Sequence, residues 1–147
     1  KLAYHVEHGA VFMKDTAVLG GLGCIGKNNM LITPQFGPHI RLRVMLLDED
    51  LPSTGFTDFD PCSDCKEYCR KACPQKAFDK QIYSAQEHGL SELPGRTGVY
   101  SRIKCSAQIE KNEERSRDVD IEGSDQKGRQ VKYCRICELA CPVGKSS

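Results

Sequence analysis

Cysteine spacing is the feature that most constrains this chain. Residues 62–74 hold four cysteines and end in Cys-Pro, and residues 134–142 repeat a CxxC turn followed by the same Cys-Pro ending. A further cysteine, Cys105, stands alone between the two runs. A CxxC turn with a third nearby cysteine brings three thiolates to one small volume, as a cubane iron–sulfur cluster requires. The cysteine that precedes proline leads away along the chain and ligates the other cluster.

The pattern therefore predicts two [4Fe–4S] clusters with crossed ligands. The first cluster takes Cys62, Cys65, Cys69 and Cys141, and the second takes Cys73, Cys105, Cys134 and Cys137. Because this crossing ties the two runs together, the clusters are expected to stabilise the fold as well. Three residues, rather than the usual two, separate Cys65 from Cys69. The presence of clusters is thus better determined than the partition of their ligands.

Two alternatives compete for the cysteines. Zinc also accepts four cysteines from CxxC pairs, although two Cys-Pro endings and a lone cysteine are not its usual layout. Disulfides fit less well, since nine cysteines cannot all pair within one chain. The first ten residues carry charges rather than the apolar run of a signal peptide. A cytoplasmic, reducing setting is therefore expected, in which dense cysteine indicates metal.

Charge and hydropathy exclude other classes of function. The formal net charge is +1, with both signs mixed along the chain, so no general attraction to nucleic acid is expected. No stretch approaches the roughly 20 apolar residues of a membrane span. Basic residues near the cysteines could dock an acidic electron donor, but a solvated surface explains most of them equally well; they are Lys66, Arg70, Lys71, Lys132 and Arg135.

Residues 1–60 contain one cysteine and indicate a mixed α/β segment. A short helix is predicted over Ala10–Leu19, ended by Gly20 and Gly21. Strands are predicted over Met30–Thr33 and Ile40–Leu47, and in the second the alternating Arg41 and Arg43 would form the outer face. Between helix and strands lies a glycine-rich turn at residues 20–28. Such a turn allows close approach of a flat or anionic ligand, which Lys27 could contact, but a plain tight turn explains it equally well.

Residues 61–147 hold the other eight cysteines. Three short helices are predicted there, over Ser63–Ala72, Arg102–Asn112 and Arg135–Ala140. If the first of them is helical throughout, Cys65, Cys69 and Cys73 share one face. The charged stretch Glu110–Arg129 is predicted to be an exposed loop or a frayed helix.

Several motifs together resemble the epoxyqueuosine reductase family, whose wider relatives include the reductive dehalogenases. They are the GLGCIGKN turn at residues 21–28, LITPQFG at 31–37, CSAQIE at 105–110, and the two cysteine runs. The resemblance covers nearly all of this chain but only the C-terminal half or so of such a protein. In that family a cobalamin sits between a nitroreductase-like α/β domain and a double-cluster ferredoxin domain, and electrons pass from the clusters to cobalt.

The resemblance implies an α+β fold, in which residues 1–60 are part of a nitroreductase-like α/β segment and residues 61–147 are a ferredoxin-like domain of the bacterial 2[4Fe–4S] type. It places the turn near a corrinoid, with Gly21, Gly23, Gly26, Lys27 and Asn28 as cofactor-binding residues. Glu7 aligns with the family's acidic proton donor, although a solvated residue near a helix start is the alternative. Cys24 replaces an aromatic residue of the family and is either a packed small residue or a reactive thiol or extra ligand.

Two main functions follow. One is a reductase of the epoxyqueuosine reductase type, passing electrons through two [4Fe–4S] clusters to a cobalamin or a flavin. The alternative is a stand-alone ferredoxin-like carrier, or an electron-transfer subunit without catalysis of its own. A structural zinc module is the third. The expected partner is an electron donor of the flavodoxin or ferredoxin type; a tRNA substrate would follow from the family name alone, since no basic patch is present.

Overall fold

The computed structural model describes residues 12–89 and 93–145. The described part contains short helices and two antiparallel hairpins, joined by long irregular segments. In chain order the elements are α1 (Met13–Leu19), β1 (Cys24–Ile25), β2 (Leu31–Ile32), α2 (Tyr68–Lys71), α3 (Ala85–His88), α4 (Arg102–Glu114), β3 (Arg117–Asp120), β4 (Lys127–Gln130) and α5 (Ile136–Leu139). No helix of the described residues is both long and apolar enough to cross a bilayer.

The first hairpin carries the glycine-rich turn. Cys24 pairs with Ile32 and Ile25 with Leu31, and the N–H of Gly26 donates to the carbonyl of Met30 at 2.8 Å. The side chains of Leu31 and Ile32 are buried, which anchors this hairpin beneath α1. The predicted helix is confirmed from Met13 to Leu19 and ends at Gly20, and the predicted strand Met30–Thr33 is confirmed in its centre.

The predicted strand Ile40–Leu47 is wrong. Residues 41–47 have no regular structure, and Met45 and Leu46 are 79% and 84% exposed. Alternation of side chains does not make a strand unless a neighbouring strand pairs with its backbone. Arg41 and Arg43 therefore form no outer face of a sheet; each donates to the carbonyl of the residue before it.

The helices around the cysteines are shorter than predicted, with one exception. The prediction for Ser63–Ala72 is wrong at its start, because Glu67 adopts a left-handed conformation with φ 58° and the helix begins only at Tyr68. Cys65, Cys69 and Cys73 consequently do not share one helical face. The helix predicted at Arg135–Ala140 is confirmed over Ile136–Leu139. That predicted at Arg102–Asn112 is confirmed as α4, where the Ser101 hydroxyl caps the helix by accepting from the Lys104 N–H.

The charged stretch after α4 is a hairpin, so the prediction of a loop or frayed helix over Glu110–Arg129 is wrong. β3 and β4 pair from Arg117 with Gln130 to Asp120 with Lys127. Arg129 donates to the carbonyl of Glu113 at 2.6 Å and so fixes the hairpin to the end of α4. Polar cross-strand and backbone contacts replace the apolar alternation by which a strand is usually recognised.

The apolar core of the described residues is small and lies among the cysteines. Ala77, Phe78 and Tyr100 form its buried centre, with the two rings stacked at 5.4 Å. Cys73, Val99, Cys105 and Cys137 pack against it. A core of this size gives limited stability by itself, so ligation by these cysteines is placed where it would stabilise the fold most.

Candidate metal centres

Four cysteines from distant parts of the chain line one small cavity: Cys62, Cys65, Cys69 and Cys141. The first two lie in a turn closed by the N–H of Cys65 and the carbonyl of Cys62 at 3.3 Å. Cys69 lies in α2, and Cys141 directly follows α5. Three of the four are buried, Cys65 being half-buried. The structure thus brings together the four residues predicted to hold the first cluster.

The other four predicted ligands line a second cavity of about 1220 Å³; they are Cys73, Cys105, Cys134 and Cys137. All of them are half-buried. Cys105 comes from α4 and Cys137 from α5, while Cys73 follows α2 and Cys134 precedes α5. The helices α2 and α5 pack against each other. Each of these helices carries one cysteine that lines one cavity, and the Cys-Pro that follows the helix supplies a cysteine that lines the other cavity. Each cysteine run thus contributes thiols to both cavities, and crossed ligation of two clusters stays a prediction.

The pKa values of the thiols reflect the same two groups. Burial raises the pKa of Cys69 to about 11; the Arg70 N–H opposes this shift, and the thiols of Cys141, Cys62 and Cys65 add to it. Burial raises the pKa of Cys137 to about 12, with Cys105 and Cys134 as the next contributors. The thiols of Cys69 and Cys137 therefore hold their protons at neutral pH, and metal binding would release those protons.

A single metal ion fits these residues less well than a cluster does. Within residues 12–89 and 93–145, no three His, Cys, Asp or Glu side chains are grouped closely enough to hold one ion. Zinc needs its four sulfurs about 2.3 Å from one centre, whereas a cubane spreads four thiolates over four iron atoms. All nine cysteines are free thiols. Two clusters therefore stay the prediction for these eight cysteines, with zinc as the alternative.

Some groups around the second cavity are suited to support a cluster. The N–H of Ala77 donates to the Sγ of Cys73 at 3.4 Å, and N–H donors to cysteine sulfur are among the levers that set cluster potentials. The Sγ of Cys137 lies 4.0 Å from the Sδ of Met30. Burial, followed by the neighbouring Cys105, raises the pKa of Tyr100 well above its ordinary range, so Tyr100 is a neutral, apolar-walled neighbour. Sequence reasoning did not identify Ala77 or Met30, since apolar side chains give no ligand signal.

Packing of the chain against itself accounts for the glycines of the turn. A Cβ on Gly21 would lie 2.4 Å from the Gly55 carbonyl oxygen, and one on Gly23 would lie 2.0 Å from that of Ile32. A Cβ on Gly26 would lie 2.7 Å from the Cγ1 of Ile32. The Nζ of Lys27 pairs with Glu67 at 3.1 Å. Contact of these residues with a corrinoid therefore stays a prediction. Among the residues of the turn, Asn28 lines both cavities.

Cys24 and Glu7 are the other residues that the sequence analysis singled out. Cys24 lines the second cavity, and burial, with Cys62 and Asp60 adding to it, raises the pKa of this thiol to about 11. A reactive cysteine needs a lowered pKa, so the structure favours the interpretation of Cys24 as a small packed residue. Glu7 lies outside the described residues.

Comparison with known proteins shows which proteins this chain is similar to. The chain is 30% identical over 136 residues to the tetrachloroethene reductive dehalogenase of Sulfurospirillum multivorans, covering 89% of this chain and 23% of that protein. It is 27% identical over 141 residues to the epoxyqueuosine reductase of Lactococcus garvieae, covering 95% and 34%. The epoxyqueuosine reductase of Pseudomonas aeruginosa is 27% identical over 138 residues, covering 93% and 33%. The resemblance to these reductases is confirmed.

The chain spans between about a quarter and a third of the length of these reductases. No family model matches it, and no solved structure does. The nitroreductase-like and ferredoxin-like parts of the expected fold therefore stay predictions. What the relatives have in common by name is reduction, and this chain is similar to reductases of that group.

Two charged side chains, Arg70 and Glu138, position the helices α2 and α5, and the sequence analysis did not identify this role. Arg70, expected to be solvated surface, donates from α2 to the carbonyls of Lys27 at 2.9 Å and Gly95 at 2.7 Å. Glu138 on α5 is 3% exposed and accepts from Arg135 and from Arg41. Hydrogen bonds from Arg135 above all lower the pKa of Glu138. In the sequence, the i,i+3 spacing of Arg135 and Glu138 was the one signal that could have predicted their contact.

Proposed function

We propose that this chain is the electron-transfer part of a reductase and holds two [4Fe–4S] clusters. The observation that carries the proposal is the separation of eight cysteines into two groups of four, each lining its own cavity. Residues of the first cavity would hold one cluster through Cys62, Cys65, Cys69 and Cys141. Residues of the second would hold the other through Cys73, Cys105, Cys134 and Cys137.

The two centres are placed for electron exchange with each other. Cys69 of the first group contributes to the raised pKa of Cys137 in the second, and the helices that carry these two cysteines are in contact. Bound clusters would supply one-electron transfer, with potentials set by hydrogen bonds, charge and exposure. The chain's own contribution is to hold the thiols in two fixed groups around the small core of Phe78 and Tyr100.

The second cavity is the proposed side for a further cofactor, a corrinoid or a flavin. Its lining extends beyond the four cysteines to α1 and β1, where Phe12, Val18 and Ile25 provide apolar surface. When bound, a corrinoid would supply cobalt that accepts electrons and allows reductive cleavage of a substrate bond. Side chains of this lining would exclude water from that face. Activity on a halogenated compound or on epoxyqueuosine belongs to the relatives by name, and reduction of a substrate of either kind is proposed here only as a class.

The proposed electron donor is an acidic flavodoxin or ferredoxin type of protein. Lys66 and Lys71 are exposed on either side of the buried Cys69. Exposed positive charge beside a buried redox site speeds association with an acidic partner in a salt-dependent way. Reduction of the clusters by such a donor should therefore slow as salt is raised. It should also be slower in Lys66→Gln/Lys71→Gln than in the wild-type chain.

The decisive experiment is to purify the chain without oxygen and measure iron, sulfide, zinc, cobalt and flavin per chain. About eight irons and eight sulfides would support two [4Fe–4S] clusters. Added cobalamin or flavin that binds with a measurable dissociation constant would support the reductase. Eight irons with no affinity for either cofactor would leave a ferredoxin-like carrier, and zinc without sulfide would refute the cluster proposal.

A further inference from the structure

Asn28 holds a position that no other described residue shares. It lines the first cavity together with Lys27 and Ile32, and it lines the second together with Ile25 and Met30. Its side chain is 4% exposed. An amide group between two cavities that are each lined by four thiols is therefore in a position to act on either centre.

The amide of Asn28 has one fixed end and one free end. Its Oδ1 accepts from the N–H of Met30 at 3.2 Å, which identifies the other end as the donor. That donor, Nδ2, is buried and has no hydrogen-bond partner; it is the one buried side-chain nitrogen or oxygen in this condition among the described residues. A buried unsatisfied donor costs roughly 1–3 kcal/mol, so a group that accepts from it is expected.

The burial of Nδ2 decides between the two cavities. The second cavity is large and open, and a nitrogen directed into it would be reached by water. Nδ2 is inaccessible to water, which matches the small first cavity lined by Cys62, Cys65, Cys69 and Cys141. A cluster bound by the four cysteines of that cavity would bring sulfur acceptors into it.

Gly26 holds the amide in this orientation. A Cβ at Gly26 would lie 2.8 Å from the Oδ1 of Asn28 and 2.7 Å from the Cγ1 of Ile32. The absence of a side chain at Gly26 thus lets the amide oxygen turn toward the backbone of Met30. Because Oδ1 is held by the backbone of Met30, the hairpin of β1 and β2 sets the direction in which Nδ2 points.

We propose that Asn28 donates its amide N–H to a sulfur of the cluster held by Cys62, Cys65, Cys69 and Cys141 and raises the reduction potential of that cluster. The inference rests on the proposed function, because it needs a cluster at the first site. A hydrogen bond to a sulfur is stronger when the cluster carries the extra electron of the reduced state. In this proposal Asn28 tunes one of the two potentials.

The test is a redox titration of both clusters, followed by electron paramagnetic resonance, in the wild-type chain and in Asn28→Leu. The variant keeps the size of the side chain and removes the donor. We expect the potential of the first cluster to fall, with a roughly tenfold change in its reduction equilibrium, which is about 59 mV for one electron. The potential of the second cluster should change far less. Signals are assigned with Cys141→Ser, which alters ligation at the first site alone.

A second pair of variants covers the case in which Asn28→Leu fails to fold. Asn28→Asp retains the acceptor for Met30 and replaces the donor by a carboxylate oxygen. Asn29→Asp is its matched control: the new charge is one residue away, the acceptor for the N–H of Gly95 is retained, and the φ of 60° at this position suits Asp. The first potential should fall more in Asn28→Asp than in Asn29→Asp.

The outcomes separate this inference from the proposed function. If wild type binds no iron and sulfide, the proposed function fails and takes the inference with it. If all variants bind about eight irons and the first potential is unchanged by Asn28→Leu, or if only the second potential moves, the role of Asn28 is refuted while the two-cluster proposal stands.

Discussion

The two cysteine-lined cavities differ in enclosure. Around the first, three of four thiols are buried, and Pro61, Pro142 and Val143 close the lining. Around the second, all four thiols are half-buried, and the lining continues over α1 and β1. Similar CxxC and Cys-Pro sequences thus give one closed site and one open site. The difference teaches that cysteine spacing sets which thiols meet, whereas the surrounding chain sets what else can reach them.

The largest expected effect is the loss of iron when two cysteines are replaced, and it tests whether the two groups of four are separate sites. Cys69→Ala/Cys141→Ala removes two thiols that line the same cavity, so about four irons should remain per chain. Cys69→Ala/Cys137→Ala removes one thiol from each cavity, and both clusters should be lost or reduced to partial occupancy. Iron and sulfide analysis of the two purified variants makes the measurement.

Cys24→Ala serves as the control, since this thiol belongs to neither group of four, and it should retain about eight irons. Equal loss of iron in both double variants would show that ligands are shared differently, for example within each run.

A smaller effect should open the closed site alone. Gly37 has φ 55°, and a Cβ there would lie 1.9 Å from the carbonyl oxygen of Val143, two residues after Cys141. Gly37→Ala should therefore cost about 3 kcal/mol or more, from backbone strain and overpacking together. Denaturant unfolding measures the loss, and the first cluster should be released before the second.

Gly55 offers a matched control for that substitution. Its φ is 74°, yet a Cβ there would meet nothing within 4 Å. Gly55→Ala carries the strain without the clash, so its cost should be only about 1–2 kcal/mol. Equal losses in the two alanine variants would contradict a specific contact between residues 37 and 143.

The smallest effect sharpens how the closed site is held. Arg96 forms two hydrogen bonds of 2.6 Å with Asp60, and Asp60 accepts from the N–H of Cys62 at 3.0 Å. Hydrogen bonds from Arg96 hold the pKa of Asp60 well below its ordinary range. Because the pair is partly solvent-exposed, Asp60→Asn should cost only about 1 kcal/mol in unfolding free energy.

The pH dependence of that cost follows from the lowered pKa. Stabilisation by the Asp60 carboxylate is fully present above its unfolded pKa of about 3.9 and is lost only as pH falls through the lower folded value. The difference between wild type and Asp60→Asn should thus be constant from about pH 5 to 8. Denaturant titrations across that range test it, and a difference that fades near neutral pH would argue against this pair as its source.

Local signals predicted the elements that depend on neighbours in sequence. The helices α1, α4 and α5 were predicted because helix-stop residues and apolar spacing act within one or two turns. The strand predicted at Ile40–Leu47 was wrong, since no strand among the described residues pairs with it. The hairpin of β3 and β4 was missed because its side chains are mostly polar and exposed. Both errors concern backbone pairing, which side-chain alternation alone does not specify.

The sequence by itself predicted eight cysteine ligands in two groups of four, and the cysteines that line the two cavities fall into the same groups. That division follows from CxxC turns and Cys-Pro endings, which constrain the chain over a few residues. Tertiary structure alone decided that one cavity is closed and the other open, that Glu138 and Arg70 anchor the helices, and that the Nδ2 of Asn28 is buried without a partner. These features arise where residues distant in sequence pack together, and packing of that kind leaves no periodic signal in the chain.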